Sequence, residues 1–235
     1  IVLSMASTAV TVILSQYLGA QDEKNASRTC MVSLVLIGGV SLAATILVFA
    51  GHTPLYRAIH VPEEVFDEAS LYLLIVGAFI LVQGLYLTFS AMIRAFAMVK
   101  EVMIISVIMN AMNIVGNAIL INGWFGMPQL GAVGAAISTD ISKLVGLALM
   151  IGMFFKSRRV KMGMSYLRPF PVQILKNLCL LAIPTGVESF SYNLSQMMIL
   201  GIVNSFGPLV TVTKGYCTIF ALSLIHISEP TRLAL

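Results

Sequence analysis

The sequence predicts an all-α, polytopic transmembrane helix bundle, and three observations predict it. Of 235 residues, 58% are hydrophobic and only 10% are charged, with a mean hydropathy of +0.95, which leaves too little charge to cover a water-facing surface. Several apolar runs reach the roughly 20 residues that a helix needs to cross a bilayer core. Lysine and arginine collect in alternate loops, the asymmetry expected of membrane spans.

The elements follow in order. Ile1 to Leu18 reads as an incomplete span, since the sequence begins without an initiator methionine. Met31 to Ala50, Leu71 to Ile93, Val102 to Ile121, Gly131 to Phe155 and a longer run within Leu178 to Val203 read as five whole spans. Pro208 to Ala221 reads as a second incomplete one. These runs are too long for strands and lack the short alternation of an outer-membrane barrel. In lipid a helix satisfies its own backbone groups, which an open sheet cannot do.

Orientation comes from the basic residues. Ten of the 14 lie on one side, namely Lys24, Arg28, Arg94, Lys100, Lys156, Arg158, Arg159, Lys161, Arg168 and Lys176. The opposite loops hold Arg57 and the acidic group Glu63, Glu64, Asp67 and Glu68, which follows Val61-Pro62 as a helix start should. The basic side is therefore expected to be cytoplasmic. The first span then runs inward, so a cytoplasmic N-terminus requires an odd number of preceding helices, one in the simplest count.

The net charge of +4 is accounted for by loops flanking spans, and no nucleic-acid partner is expected. Cys30, Cys179 and Cys217 lack the paired spacings of a zinc or redox site and read as packing residues. His52 and His60 read as outer-loop residues without helical ligand spacing. The sequons at Asn25 and Asn193 fall in a cytoplasmic loop and a span. No phosphate loop, H-E-x-x-H or nucleophile elbow is present, so neither an ATP-driven pump nor an enzyme is supported.

Residues that carry chemistry are few. Asn110, Asn113 and Asn117 recur at three and four residues and form a polar stripe on one helix face. They serve either as interhelical hydrogen-bonding groups or as the wall of a hydrated chamber. Asp140 and Lys143, an i, i+3 pair about nine to twelve residues from the outer end of their span, stand near mid-membrane and are expected to neutralise one another, or else to meet substrate or proton. Glu188 follows Pro184 by four residues in a span with no close basic neighbour. The proline removes one intrahelical hydrogen bond and is expected to break the helix, so that a freed carbonyl and the carboxylate bind Na⁺, or the carboxylate carries a proton. The alternative is a neutral carboxyl bonded to Asn193, Ser189 or another helix. Gly131, Gly134, Ala135, Ala136 and Ser138 suit close helix contact.

Along residues 1 to about 221 the chain resembles the multidrug and toxic compound extrusion (MATE) family of its bacterial branch. The resemblance rests on Ser15-Gln16-Tyr17-Leu18-Gly19-Ala20, on Tyr72 with Ser90-Ala91-Met92-Ile93-Arg94-Ala95, and on the run Asn110 to Thr139. In that run Asn113 and Asn117 precede Gly123, Pro128, Leu130-Gly131, Gly134-Ala135-Ala136 and Ser138-Thr139. Ala182-Ile183-Pro184-Thr185-Gly186-Val187-Glu188 with Val203-Asn204-Ser205-Phe206-Gly207 is similar to the family's seventh helix.

The resemblance implies a MATE-like fold of twelve helices in two lobes. Residues 1–156 would be most of the N-terminal lobe (second to sixth helices), 157–171 a cytoplasmic linker, and 172–221 the start of the C-terminal lobe. Residues 222–235, with Leu224 to Leu233 reading like translated adapter sequence, are expected to be a non-native tail. It implies a secondary antiporter in the bacterial cytoplasmic membrane, monomeric when complete, that exports drugs or organic cations in exchange for Na⁺ or H⁺ and needs no cofactor. A lipid-linked saccharide flippase of the same superfamily is the alternative. In some members an acidic residue of the fifth helix helps to form a cation site where this chain has Asn117, and Thr139 resembles a polar residue of the same chamber. Members also carry a seventh-helix glutamate, further beyond the proline than Glu188. The residues expected to meet substrate or ion are thus Glu188, Asn113, Asn117, Thr139, Asp140, Lys143 and Gln83, with Glu188 as the Na⁺ ligand.

Overall fold

The computed structural model describes residues 2–58, 63–126, 128–204 and 213–217. Seven α-helices account for most of them: α1 (Val2–Gly19), α2 (Glu23–Ala58), α3 (Glu63–Ala78), α4 (Ile80–Ala95), α5 (Val99–Asn122), α6 (Gly131–Ser157) and α7 (Val172–Asn204). No strand occurs among the described residues. Two short 3₁₀ turns, Trp124–Gly126 and Met164–Leu167, flank α6. The chain forms two compact units, Ile1–Pro184 and Thr185–Leu235.

Five stretches are long and apolar enough to cross a bilayer: Val2–Gly19, Glu23–His52, Ser70–Ala95, Val99–Asn122 and Gly131–Ser157. The sequence reading changes in four places. The first stretch, expected to be incomplete, reaches full spanning length. The expected span Leu71 to Ile93 is two helices, interrupted at Phe79, whose φ of −97° and ψ of 6° leave the helical ladder. His52 lies inside α2, its ring bonded at 3.0 Å to the Phe49 carbonyl, and not in a loop; His60 is outside the described residues. The 33-residue α7 is not one of the five spanning stretches, because Glu188, Ser189, Ser191, Asn193, Ser195 and Gln196 interrupt its apolar run.

Helix ends follow local chemistry. Asp22 precedes α2 and accepts the Asn25 backbone N–H at 3.0 Å and its side-chain amide at 2.7 Å, a capping arrangement that holds the Asp22 carboxyl below its ordinary range. Gly123 closes α5 in the left-handed region at φ 73° and donates its N–H to the Ile119 carbonyl, as glycine does without a Cβ penalty.

Within the first unit, α1 packs on α2 and α4, α2 on α3 and α4, and α6 on α3, α4 and, most extensively, α5. Hydroxyls set the register of α1 against α4. Ser7 donates to the Leu87 carbonyl at 2.9 Å and Thr11 to the Ala91 carbonyl at 3.3 Å. The offset of 80 residues is the same in both bonds, so the two helices run parallel, as two inward-running spans must. Arg94, in the last turn of α4, fastens the same seam, donating to Ser90 at 3.0 Å and Ser7 at 3.3 Å.

The buried apolar core is concentrated toward the basic end. Leu14, Cys30, Met92, Ile93, Met150 and Leu178 are all buried there. Phe154 meets Phe89 edge-on at 5.4 Å and Phe96 at 5.6 Å between ring centres, a favourable aromatic geometry. The fully buried apolar side chains of α5 are Val102 and Ile105, both in its first two turns.

Candidate polar site within the first unit

The α5–α6 seam is built from small residues. A Cβ on Gly134 would stand 2.7 Å from the Leu120 carbonyl oxygen, and one on Gly116 would collide with the Ser138 hydroxyl. Gly131, expected to be a contact residue, is different: it has open space around it and φ +54°, so its role is conformational.

This close approach lets side chains bond between the two helices. Asn117 donates its amide to Asn113 Oδ1 at 3.2 Å. Asn113 donates to Thr139 Oγ1 at 3.0 Å, and Thr139 donates onward to the Ala135 carbonyl at 2.8 Å. Ser138 donates to the Asn113 carbonyl at 3.1 Å. Asn110 stands apart, exposed and bonded within its own helix to the Ser106 carbonyl at 2.9 Å. The asparagine stripe therefore divides, with Asn113 and Asn117 in the seam.

Next to Thr139 in the chain, Asp140 is buried, with 1% of its surface exposed, and it is the one charged residue among the buried residues described. Neither of its carboxylate oxygens has a hydrogen-bond partner among the described residues. The expected neutralisation by Lys143 is not formed: no ion pair joins them among the described residues. A spacing of three along α6 sets the two on neighbouring positions of one helix face but does not fix where the longer, half-buried Lys143 stem carries its ammonium.

Asp140 is not alone in being buried without a partner. Thr45 Oγ1 on α2, Ser70 Oγ on α3, Gln83 Oε1 on α4 and Asn117 Oδ1 on α5 are likewise buried and unbonded. Each helix from α2 to α6 thus contributes at least one polar group with no protein partner among the described residues, and α2 a second, Arg28 Nε, where a fully apolar bundle would have none. Gln83, Asn117 and Asp140 were legible as candidates. Thr45 and Ser70 were missed, and their signal is a lone hydroxyl in or beside an apolar run.

The remaining expected residues lie elsewhere. Glu188 belongs to the second unit, is exposed and makes no hydrogen bond among the described residues. Asn193 bonds the Ser189 carbonyl at 2.7 Å instead. Pro184 lies inside α7 and does not end it; a proline can stand inside a membrane helix when neighbouring groups take up the freed carbonyl. Among the described residues no three His, Cys, Asp or Glu side chains converge on a metal. Carboxylate, amide and hydroxyl oxygens are hard donors, the type that hard cations take.

The fold and its apolar spans define a multi-pass helical membrane protein. The MatE family model matches residues 1–119. The uncharacterized transporter YisQ of Bacillus subtilis (strain 168) is 34% identical over 216 residues, which is 92% of this chain and 48% of the relative. The protein named "Probable multidrug resistance protein NorM" of Thermotoga maritima is 26% identical over 86% of this chain and 44% of its own length. The chain belongs to the MatE family. Its fold is shared by a multidrug resistance MATE family transporter of the MOP superfamily, with a TM-score of 0.81 to the outward-facing conformation (20% identity, 96% of this chain, 50% of that one) and 0.76 to the inward-facing one (20%, 95% and 51%). The chain spans about half the length of the curated relatives it matches. Family membership and its spanning helices place it in the plasma membrane as a multi-pass protein.

Proposed function

We propose that the intact protein is a secondary antiporter that exports drugs or organic cations in exchange for Na⁺ or H⁺, and that the interior of the first unit is one ion-coupling site. The observation that carries the reading is the set of buried, unpartnered polar groups contributed by five successive helices, with Asp140 as its carboxylate. In hydrocarbon such groups are costly unless they meet an ion, a proton or water. Asn117, Gln83 and Thr45 supply neutral oxygens, and Asp140 balances one positive charge.

Coupling requires that the ion bind one conformation better than the other, since only differential affinity moves the equilibrium. A site whose ligands come from α2, α4, α5 and α6 changes geometry whenever those helices shift, so occupancy and conformation are linked. Glu188 is proposed as a second carboxylate acting in the other half of the protein. The lipid-linked saccharide flippase reading is disfavoured, because an anionic substrate wants cations inside, whereas the one charged residue among the buried residues described is the carboxylate Asp140.

The test is export of a cationic dye from efflux-deficient cells that express the complete gene. Asp140→Asn and Glu188→Gln are each expected to lower ion-gradient-driven export about tenfold or more, with unchanged abundance in the membrane. Export by both variants at the wild-type rate would remove the proposal.

A further inference from the structure

The positive-inside rule requires that Lys24 and the run Arg158 to Lys161 lie on one side of the membrane. It does not require that they converge, yet they do. A cavity of about 630 Å³ is lined by Glu23 and Lys24 at the start of α2, by Arg158, Arg159 and Lys161 just beyond α6, and by Tyr166 of the second 3₁₀ turn. Four cations face one carboxylate. None of the four makes an ion pair among the described residues. Arg158 sits in the left-handed region at φ 48°, where the chain turns out of α6, and the 3₁₀ turn that carries Tyr166 packs on α2. The cavity is therefore a fixed part of the first unit.

A second observation separates lipid from dissolved anion. Beside the cavity the last turn of α6 exposes Phe155 at 59%, and the segment that follows exposes Met164 at 76% and Phe170 at 44%. Alternation of cations with exposed apolar groups is the chemistry of a segment lying in the membrane interface, with its charges among headgroups and its apolar tips among acyl chains. Tyrosine favours the same depth. Uncompensated guanidinium groups take phosphate oxygens in pairs, and basic pockets between helices at the cytoplasmic face hold anionic headgroups.

We infer that this cavity binds the phosphodiester of an anionic membrane phospholipid, pinning the segment that follows α6 to the cytoplasmic leaflet. The site is remote in sequence from the ion-coupling groups and does not depend on the transport reading. Phospholipid binding is read directly, so its failure leaves the coupling proposal standing, and the reverse.

The experiment is native mass spectrometry of the intact protein in detergent, titrated with phosphatidylglycerol and separately with phosphatidylcholine. Phosphatidylglycerol is expected to bind at least about fivefold better. The R158Q/R159Q double variant is expected to lose about tenfold in that affinity. K100Q/K176Q removes the same charge from exposed positions on the same face outside the cavity, and is expected to change it less than about twofold. Glu23→Gln is expected to raise it. R158K/R159K keeps the charge that fixes membrane orientation and loses only the paired fork, so it reports on the site, with a loss of about threefold, if the glutamine variant inserts poorly. Equal losses in R158Q/R159Q and K100Q/K176Q would reduce the site to general surface charge. Equal binding of the two lipids, or displacement by millimolar inorganic phosphate, would overturn the assignment to lipid.

Discussion

At the scale of single residues, two polar side chains of the adjacent helices α5 and α6 have opposite relations to stability. Asn113 accepts from Asn117 and donates to Thr139. Asp140 is buried with no bond to either oxygen. Asn113→Ala is expected to cost about 0.6–1.7 kcal/mol, the range found for interhelical hydrogen bonds in membranes. Asp140→Asn keeps the shape and removes an uncompensated carboxylate, so it is expected to leave the protein as stable or more so. Thermal melting of the intact protein in detergent checks both, and a lower melting point for Asp140→Asn would show that a bond to its carboxylate holds the bundle together. The asparagines were readable because a spacing of three and four puts their amides on one face. The Asp140–Lys143 separation was misleading, because spacing along a helix fixes Cα positions and not the reach of a four-carbon stem.

At the scale of helices, close approach decides more than hydropathy does. Gly134 and Gly146 both face neighbours in the first unit, but of different kinds. A methyl on Gly134 would meet the Leu120 backbone at 2.7 Å, whereas one on Gly146 would meet the Met109 sulfur at 2.8 Å. Backbone cannot step aside, and a methionine can repack. Gly134→Ala is expected to destabilise by about 1–3 kcal/mol and Gly146→Ala by less than about 1 kcal/mol, with detergent melting curves as the measurement. Equal losses would contradict the distinction. Most helices were legible from apolar run length. The interruption at Phe79 was not, since neither proline nor glycine stands at that position in the run Leu71 to Ile93. The passage of α7 through Pro184 was hidden for the converse reason: a proline in the sequence does not reveal whether neighbouring groups accommodate it.

At the scale of the molecule, charge fixes the direction in which the helices thread the membrane. Lys100 and Gln129 flank the two ends of α5 and both are exposed. A cysteine placed at Lys100 is expected to react with a membrane-impermeant maleimide only after the membrane is opened, and one at Gln129 in intact cells. The reversed pattern would invert the orientation. The same axis separates the interior into an aromatic end, closed by Phe89, Phe96 and Phe154, and an end where polar groups are buried. The sequence pattern could assign each residue to a helix and to a depth. It could not show that loops on either side of α2 to α6 close on a common cavity, because convergence of Lys24 with Arg158 and Arg159 depends on the segment after α6 folding back so that its 3₁₀ turn packs on α2.

On the proposed reading, Asp140 is the one charged side chain among the buried residues described in the first unit, so that compartment would offset one elementary charge per cycle. Exchange of a monovalent substrate for a single counter-ion through it alone would be electrically silent, moving no net current and deaf to voltage. A second carboxylate elsewhere, such as Glu188, is what would let the cycle draw on the membrane potential, at about 2.3 kcal/mol per charge for each 100 mV.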